Sequence, residues 1–125
     1  MLLIRFLQQS VQNNNSGLAE NVFRVGNNLI FIMSTITING TFSGATNNFV
    51  QIDIYLPNPN SYDFSKEYTK SFNITIDDLP AGETFFFDLT GYTAGQFDID
   101  VTGNIAAAIH NTYQNDFKPG LTITT

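Results

Sequence analysis

Three aspartates, Asp88, Asp98 and Asp100, are the residues whose type and spacing could bind a cation. They lie in segment 79–103, where apolar and polar residues alternate with a period of two, as on a strand with one buried face. A glycine-bounded turn in the middle of the segment predicts a β-hairpin, with one face in a core and the other in water. Asp88 would then pair with Asp98 across the turn, and Asp100 would lie diagonally to Asp88.

Three like charges so close together destabilise a sheet unless they are screened or bridged. Calcium binds carboxylate oxygens, so Asp88, Asp98 and Asp100 are the predicted ligands if the protein binds a metal. The alternative is a solvated acidic face, which is the commoner case, and the chain has no Asp-x-Asp-x-Asp-Gly calcium loop. We therefore predict no cofactor and keep calcium as the alternative.

Aromatic side chains are the best signal for ligand binding. Two of them lie in the long polar loop that is predicted after Leu56, one shares the predicted outer face with Asp88, and one lies at the predicted hairpin tip. Flat rings beside Asp and Asn groups are typical of surfaces that bind a sugar or a peptide. The alternative is that such rings cap the core or lie in an oligomer interface. The predicted ligand-binding residues are Tyr62, Phe64, Phe86 and Tyr92, and Tyr55 and Tyr68 belong to the same aromatic set.

Nucleophilic catalysis has little support in the sequence. His110 is the only histidine, so a Ser-His-Asp triad would have to include it, and no Gly-x-Ser-x-Gly motif is present. The chain has no cysteine, which excludes disulfides, thiolate metal sites and cysteine nucleophiles. We expect no enzymatic activity, and a small hydrolase that uses the acidic outer face stays an alternative.

The charge of the chain limits its partners. The net charge is −6, and the only cations after Ser34 are Lys66, Lys70 and Lys118. Such a surface repels phosphate groups, so we expect neither nucleic acid nor an anionic membrane as a partner. No apolar run approaches the ~20 residues of a membrane helix. The predicted partners are a protein or a carbohydrate, with a second copy of the chain as a further candidate.

Regularly spaced strands are predicted from Leu29 onward, which is typical of a sandwich or a barrel. Segment 104–110 fits a short helix or a strand, and we favour a strand or loop because isolated short helices are marginal. The predicted strands are Leu29–Phe42 (with Asn39-Gly40 as a bulge or turn), Phe49–Leu56, Tyr68–Ile76, the 79–103 hairpin and Leu121–Thr124. Their alternation predicts one core formed by Val50, Ile52, Ile54, Phe72, Ile74, Phe87, Leu89, Phe97, Ile99 and Val101.

The first 33 residues differ from the rest of the chain. They hold both arginines and an Asn-rich patch, and they are predicted to be either an N-terminal extension or strands added to the sheet. We favour added strands at Leu2–Leu7 and Val22–Val25, because an exposed apolar run would promote aggregation. The predicted division is therefore 1–33 and a sandwich domain at 34–125.

The segment Leu79-Pro80-Ala81-Gly82-Glu83-Thr84-Phe85, with Leu89-Thr90-Gly91-Tyr92 and Gly95-Gln96-Phe97 after it, carries a family resemblance. It resembles the leucine-proline-x-glycine hairpin of prealbumin-like sandwich modules, which include carboxypeptidase regulatory-like and Cna B-type domains. The resemblance implies a seven-stranded, non-catalytic module of an exported protein, so an extracellular or cell-surface location is favoured. Cna B-type domains often form a Lys–Asn isopeptide, which is not expected because Leu29–Leu56 contains no lysine.

Together these observations predict an all-β fold, an antiparallel two-sheet β-sandwich of immunoglobulin-like or prealbumin-like type. The predicted function is a non-catalytic binding or structural module that self-associates or binds a partner. The alternative function is a calcium-dependent carbohydrate-binding domain.

Overall fold

The computed structural model describes residues 22–25, 28–56 and 62–125, and within these ranges the fold is all-β, without a helix. Two short strands, β1 (Val22–Val25) and β2 (Asn28–Phe31), pair with each other in a separate antiparallel sheet. The other seven strands form one antiparallel sheet. They are β3 (Met33–Phe42), β4 (Asn48–Leu56), β5 (Tyr62–Tyr68), β6 (Phe72–Pro80), β7 (Thr84–Gly103), β8 (Ile109–Phe117) and β9 (Gly120–Thr124).

The 20-residue strand β7 organises this sheet. Its first half pairs with β4 on one side and with β9 on the other. Its second half pairs with β3, and β8 pairs along its opposite side. β5 extends the sheet beyond β4, and β6 extends it beyond β3. Consecutive strands β3 and β4 thus follow one side of β7, and β8 and β9 follow the other.

The sheet is strongly curled, and a side-chain hydrogen bond joins its two edge strands, from the Tyr62 hydroxyl of β5 to Asp78 of β6 at 3.0 Å. The Ala81 amide, just after β6, donates to the carbonyl of Ile32 at 3.3 Å. Thr125, just after β9, donates its amide to the carbonyl of Glu83 at 2.8 Å and its hydroxyl to the carbonyl of Pro80 at 2.8 Å. These contacts give a nearly barrel-like sheet with an inner and an outer face.

The inner face of the sheet forms one hydrophobic core. Eight of the ten residues predicted for the core are buried, and Phe72 and Ile74 are half-buried against them. The prediction is confirmed, because side chains at period two along a strand share one face. The remaining buried apolar residues are Ile36, Ile38, Phe42, Leu56, Ile76, Leu79, Phe85, Phe117 and Ile123.

The predicted hairpin in segment 79–103 is wrong, because Thr84–Gly103 is one continuous strand. The glycines in its middle allow close approach of neighbours instead of forming a turn. A Cβ on Gly91 would overlap the carbonyl oxygen of Phe49 and come within 2.6 Å of the Phe117 ring. The strand is irregular only between Thr93 and Gln96, where its register with β8 shifts. Glycine within a strand often marks such close contacts and bulges.

Two other local predictions are also wrong. Asn39-Gly40 is neither a bulge nor a turn but lies inside β3, where the missing side chain of Gly40 leaves room for the Phe72 ring. Tyr62 and Phe64, expected in a loop, belong to β5. The preference for a loop or strand at 104–110 is confirmed, since β8 begins at Ile109 after a turn.

The structure describes only some of the N-terminal residues to which the predictions apply. Val22–Val25 is a strand, but it pairs with β2 and not with the seven-stranded sheet. Leu2–Leu7 and Pro57–Ser61 lie outside the described residues, and the division at residue 33 stays a prediction. Within the part of the chain that the structure describes, no helix is long and apolar enough to cross a membrane.

Candidate functional site

Two aromatic pairs lie on the outer face of β4 and β7. Phe49 and Tyr92 are directly paired, with ring centroids 5.8 Å apart and an interplanar angle of 22°. Tyr55 and Phe86 are paired in the same way, at 5.2 Å and 29°. Tyr92 is 48% exposed and Phe86 is 41% exposed, which is high for such large rings. These four residues are called the aromatic face below.

Hydrogen-bonding side chains occupy the space between the two aromatic pairs. Asp53 of β4 is directly opposite Asp88 of β7, and Gln51 is directly opposite Thr90. Directly opposed residues of antiparallel strands have Cβ atoms roughly 4.5–5.5 Å apart. The two carboxylates of Asp53 and Asp88 are therefore neighbours, in the middle of the aromatic face.

Neighbouring donors hold both carboxylates in place. The Tyr55 hydroxyl donates to Asp88 Oδ2 at 2.8 Å. Ser65 Oγ donates to Asp53 Oδ1 at 2.6 Å, and Gln51 Nε2 lies 3.3 Å from the same oxygen. The hydrogen bond to Asp88 raises the pKa of Tyr55, and burial and the charges of Asp88 and Asp53 raise it further. Tyr55 therefore stays protonated and remains a hydrogen-bond donor at neutral pH.

A groove of about 450 Å³ adjoins one end of the aromatic face. Phe49, Thr90 and Tyr92 form the wall that it shares with that face, and Asp116, Phe117 and Lys118 form the rest together with Gly91. Gly91 brings β7 against the Phe117 ring. The groove therefore combines an apolar wall with one acidic and one basic side chain.

The four predicted ligand-binding residues do not lie together. Phe86 and Tyr92 are on the outer face, as described above. Tyr62 and Phe64 pack against the core, because they pair with the inward-facing Leu56 and Ile54. Tyr62 also donates its hydroxyl to Asp78 at 3.0 Å and meets the Phe85 ring edge-on at 5.6 Å. The two halves of the predicted site are thus on opposite sides of the sheet.

Asp88 is separated from the other two predicted metal ligands, because the hairpin that would join them does not form. Asp98 lies ten positions after Asp88 along one extended strand, which is roughly 33 Å of contour. Asp98 instead pairs with Thr41 and Thr112, and Asp100 with Asn39 and His110. Among the described residues, no group of three His, Asp or Glu side chains is placed to hold a metal ion. The calcium alternative depended on the pairing of Asp88 with Asp98, and this pairing is absent from β7.

His110 forms an exposed ion pair with Asp100. Its Nδ1 contacts Asp100 Oδ1, and the histidine side chain is 74% exposed. Neighbouring Asp98 accepts a hydrogen bond from Thr112 at 2.6 Å. The hydrogen bond and the charge of Asp100 raise the pKa of His110 above 6.5, against a small opposing effect of desolvation. The pair favours the imidazolium form of His110.

We expect an NMR titration to give His110 a pKa above its ordinary value of 6.5. Because the folded-state pKa is raised, this pair stabilises the fold fully below the unfolded-state pKa and stops doing so as pH rises through the folded-state pKa. The Asp100→Asn variant should return the His110 pKa toward 6.5. The matched control is Asp63→Asn on β5, which should leave it unchanged. A wild-type His110 pKa at or below the ordinary value would contradict the ion pair.

One residue of the aromatic face, Phe49, was not predicted. The alternation of β4, which placed Gln51 and Asp53 on the outer face, also places Phe49 and Tyr55 there. The sequence therefore contained a signal for its orientation. Its pairing with Tyr92 could be found only from the register between β4 and β7.

Comparison with known proteins gives no further guide to function. No family model, no curated protein and no solved structure matches this chain. The class of protein is thus defined by the described fold alone, as an all-β protein with a curled antiparallel sheet and an exposed aromatic face.

Proposed function

We propose that this protein is a non-catalytic carbohydrate-binding module, which binds a polysaccharide on the outer face of β4 and β7. The observation that carries the proposal is the exposure of Phe86 and Tyr92, two large rings on one face of one strand. Each ring is held in place by a stacked partner on β4. Exposed and fixed aromatic side chains are typical of binding surfaces, because they bury a large area at a low cost in conformational entropy.

The shape of the face favours an extended ligand. Tyr92 lies six positions after Phe86 along β7, which corresponds to about 20 Å at the rise of a strand. A sugar ring has apolar C–H faces that pack on aromatic rings and hydroxyl groups that hydrogen-bond. Gln51, Asp53, Asp88 and Thr90 supply donors and acceptors between the two aromatic pairs. A chain of several sugar units would contact both pairs and these polar groups together.

We also propose the finer type of the fold, a two-sheet sandwich of immunoglobulin-like or prealbumin-like type. In support of it, β7 is irregular between Thr93 and Gln96, and along one of its sides the partner changes there from β4 to β3. Each half of β7 would then belong to one sheet, and the inward residues of the two halves would face each other. The aromatic face would be the outer surface of one of these sheets.

Replacement of Phe86 or Tyr92 by alanine should weaken polysaccharide binding by about tenfold or more, as expected for an aromatic hot spot. The wild type is first screened by affinity electrophoresis against soluble polysaccharides, and the variants are then compared by isothermal titration calorimetry. Met33→Ala is the matched control, because Met33 is also a large exposed apolar residue but lies on β3. Thermal melts verify that each variant is folded.

Two outcomes would contradict this function. The first is that no polysaccharide binds, or that binding does not change in Phe86→Ala and Tyr92→Ala. The second is that the wild type is a dimer in sedimentation velocity and that the same two variants are monomers. The aromatic face would then be an interface between two copies of the chain.

A further inference from the structure

We propose that the ligand is a polysaccharide with free amino groups, whose ammonium is bound by Asp53 and Asp88 while its sugar rings pack on the aromatic pairs to either side. This inference rests on the proposed function and adds the charge of the ligand. It concerns a soluble or surface-attached amino sugar polymer, of which a glucosamine oligomer is the simplest example.

The first argument is the direct opposition of Asp53 and Asp88. Like charges directly opposite each other destabilise an antiparallel sheet. No lysine or arginine is at the pair positions around them: Asp53 lies between Asp88 and Ser65, and Asp88 lies between Asp53 and Gly120. An ammonium group placed between the two carboxylates would remove the repulsion and form charge-assisted hydrogen bonds with both.

The second argument is the charge of the surrounding face. Three further carboxylates are paired with residues of this outer face: Asp63 with Tyr55, Glu67 with Gln51, and Asp116 with Tyr92. Among the lysines of the described residues, only Lys118 borders this face, where it lines the groove together with Thr90 and Tyr92. Lys66 pairs with the inward-facing Ile52, and Lys70 lies in the bend after β5. The face therefore complements a cation and repels an acidic polysaccharide.

The third argument is that hydrogen bonds already fix the two carboxylates in position without a bound cation. Asp88 is fixed by Tyr55, and Asp53 is fixed by Ser65 and Gln51. Fixed carboxylates lose little entropy when a ligand binds. The rings of Tyr55 and Phe86, next to the carboxylates, add the attraction of an aromatic π-system for a cation.

A basic peptide is the other cationic ligand, and the geometry favours it less. An extended peptide usually binds to a sheet by adding a strand at its edge. Asp53 and Asp88 lie on the face of two paired strands, and β7 has a hydrogen-bonded neighbour on each side there. A lysine side chain would also lose the conformational entropy of its several rotatable bonds on binding. A ring that carries its amine directly avoids this cost.

The test compares three oligosaccharides of equal length by isothermal titration calorimetry at mildly acidic pH: β-1,4-linked glucosamine, its N-acetylated form and cello-oligosaccharide. The wild-type protein should bind the glucosamine oligomer at least about tenfold more tightly than either neutral oligomer. Added salt should reduce this preference, because it screens exposed charges. Asp53→Asn and Asp88→Asn should remove the preference, whereas Asp98→Asn, on β7 but outside the aromatic face, should leave it unchanged.

The possible failures are distinguishable. If the neutral oligomers bind as tightly as the glucosamine oligomer, and Phe86→Ala weakens all three, the charge inference is wrong and the carbohydrate-binding function stands. If the glucosamine oligomer binds but Phe86→Ala and Tyr92→Ala have no effect, the proposed function is wrong, because charge alone holds the ligand. If a lysine oligomer binds equally well with the same dependence on Asp53, Asp88 and Phe86, the inference of an amino sugar is overturned in favour of a basic peptide.

Discussion

Replacing Phe97 by alanine is expected to lower the free energy of unfolding by roughly 3–5 kcal/mol. Phe97 is fully buried at the centre of the aromatic part of the core. Its ring centroid is 4.6 Å from that of Phe42, 5.5 Å from that of Phe117 and 6.3 Å from that of Phe72. These three residues come from different strands, so the cavity left by alanine cannot close without moving several strands.

The measurement is urea denaturation followed by circular dichroism. Tyr92→Ala is the control, because it removes an aromatic ring from the outer face of the same strand and should cost no more than about 1 kcal/mol. If Phe97→Ala does not fold, Phe97→Leu gives the smaller loss of the same sign. Equal stabilities of Phe97→Ala and the wild type would show that the inner face of β7 is not the core.

Replacing Gly91 by alanine is expected to destabilise the fold by about 1–3 kcal/mol or more, as an overpacking substitution. The new methyl group would overlap the backbone carbonyl of Phe49, which has little freedom to move because it lies in β4. It would also come within 2.6 Å of the Phe117 ring. The cost is therefore steric, and it follows from β7 having a neighbour on each side at this position.

Gly44→Ala is the matched control for this substitution. No atom lies within 4 Å of the position that a Cβ on Gly44 would take, so this variant should be as stable as the wild type. The comparison also distinguishes a continuous β7 from the hairpin that the sequence predicts. At an exposed hairpin tip Gly91→Ala would cost little, so equal stability of the two variants would support the hairpin.

The sequence predicts well what depends on neighbouring residues. The inward positions of β4 and β7, such as Ile52, Phe87 and Phe97, follow from the two-residue period of a strand. The same period places Phe86 and Asp88 on the outer face. The two faces of each strand could therefore be assigned before any pairing was known.

The sequence does not predict which strands pair. A glycine inside an alternating segment has two physical causes, a turn or a close neighbour, and local sequence does not distinguish them. For Gly91 the cause is the backbone of β4 and the Phe117 ring, both distant in sequence. Strand β8 was missed for a similar reason: its inward positions include Asn111, and Ile109 and Tyr113 are only half-buried.

In the candidate site, too, the sequence predicts which face each residue occupies but does not predict which residues pair across strands. The sequence predicts opposed carboxylates on an outer face beside Phe86, and the structure has one such pair there, Asp53 and Asp88. The predicted pair was wrong, because Asp88 faces Asp53 and not Asp98. The stacking partners Phe49 and Tyr55 likewise depend on the register of β4 with β7. The site is therefore a product of long-range pairing, and no single segment contains it.

The most direct test of the proposed binding face is an NMR titration of the ¹⁵N-labelled protein with the glucosamine oligomer. We expect the amide shifts that change with ligand to cluster on β4 and the first half of β7, around Phe49, Asp53, Tyr55, Phe86, Asp88 and Tyr92. The outer surface of β3 and of the first residues of β8 should stay unchanged, with His110 and Asp98 as internal references. Changes confined to β3 and β8, or no changes at saturating ligand, would contradict the account.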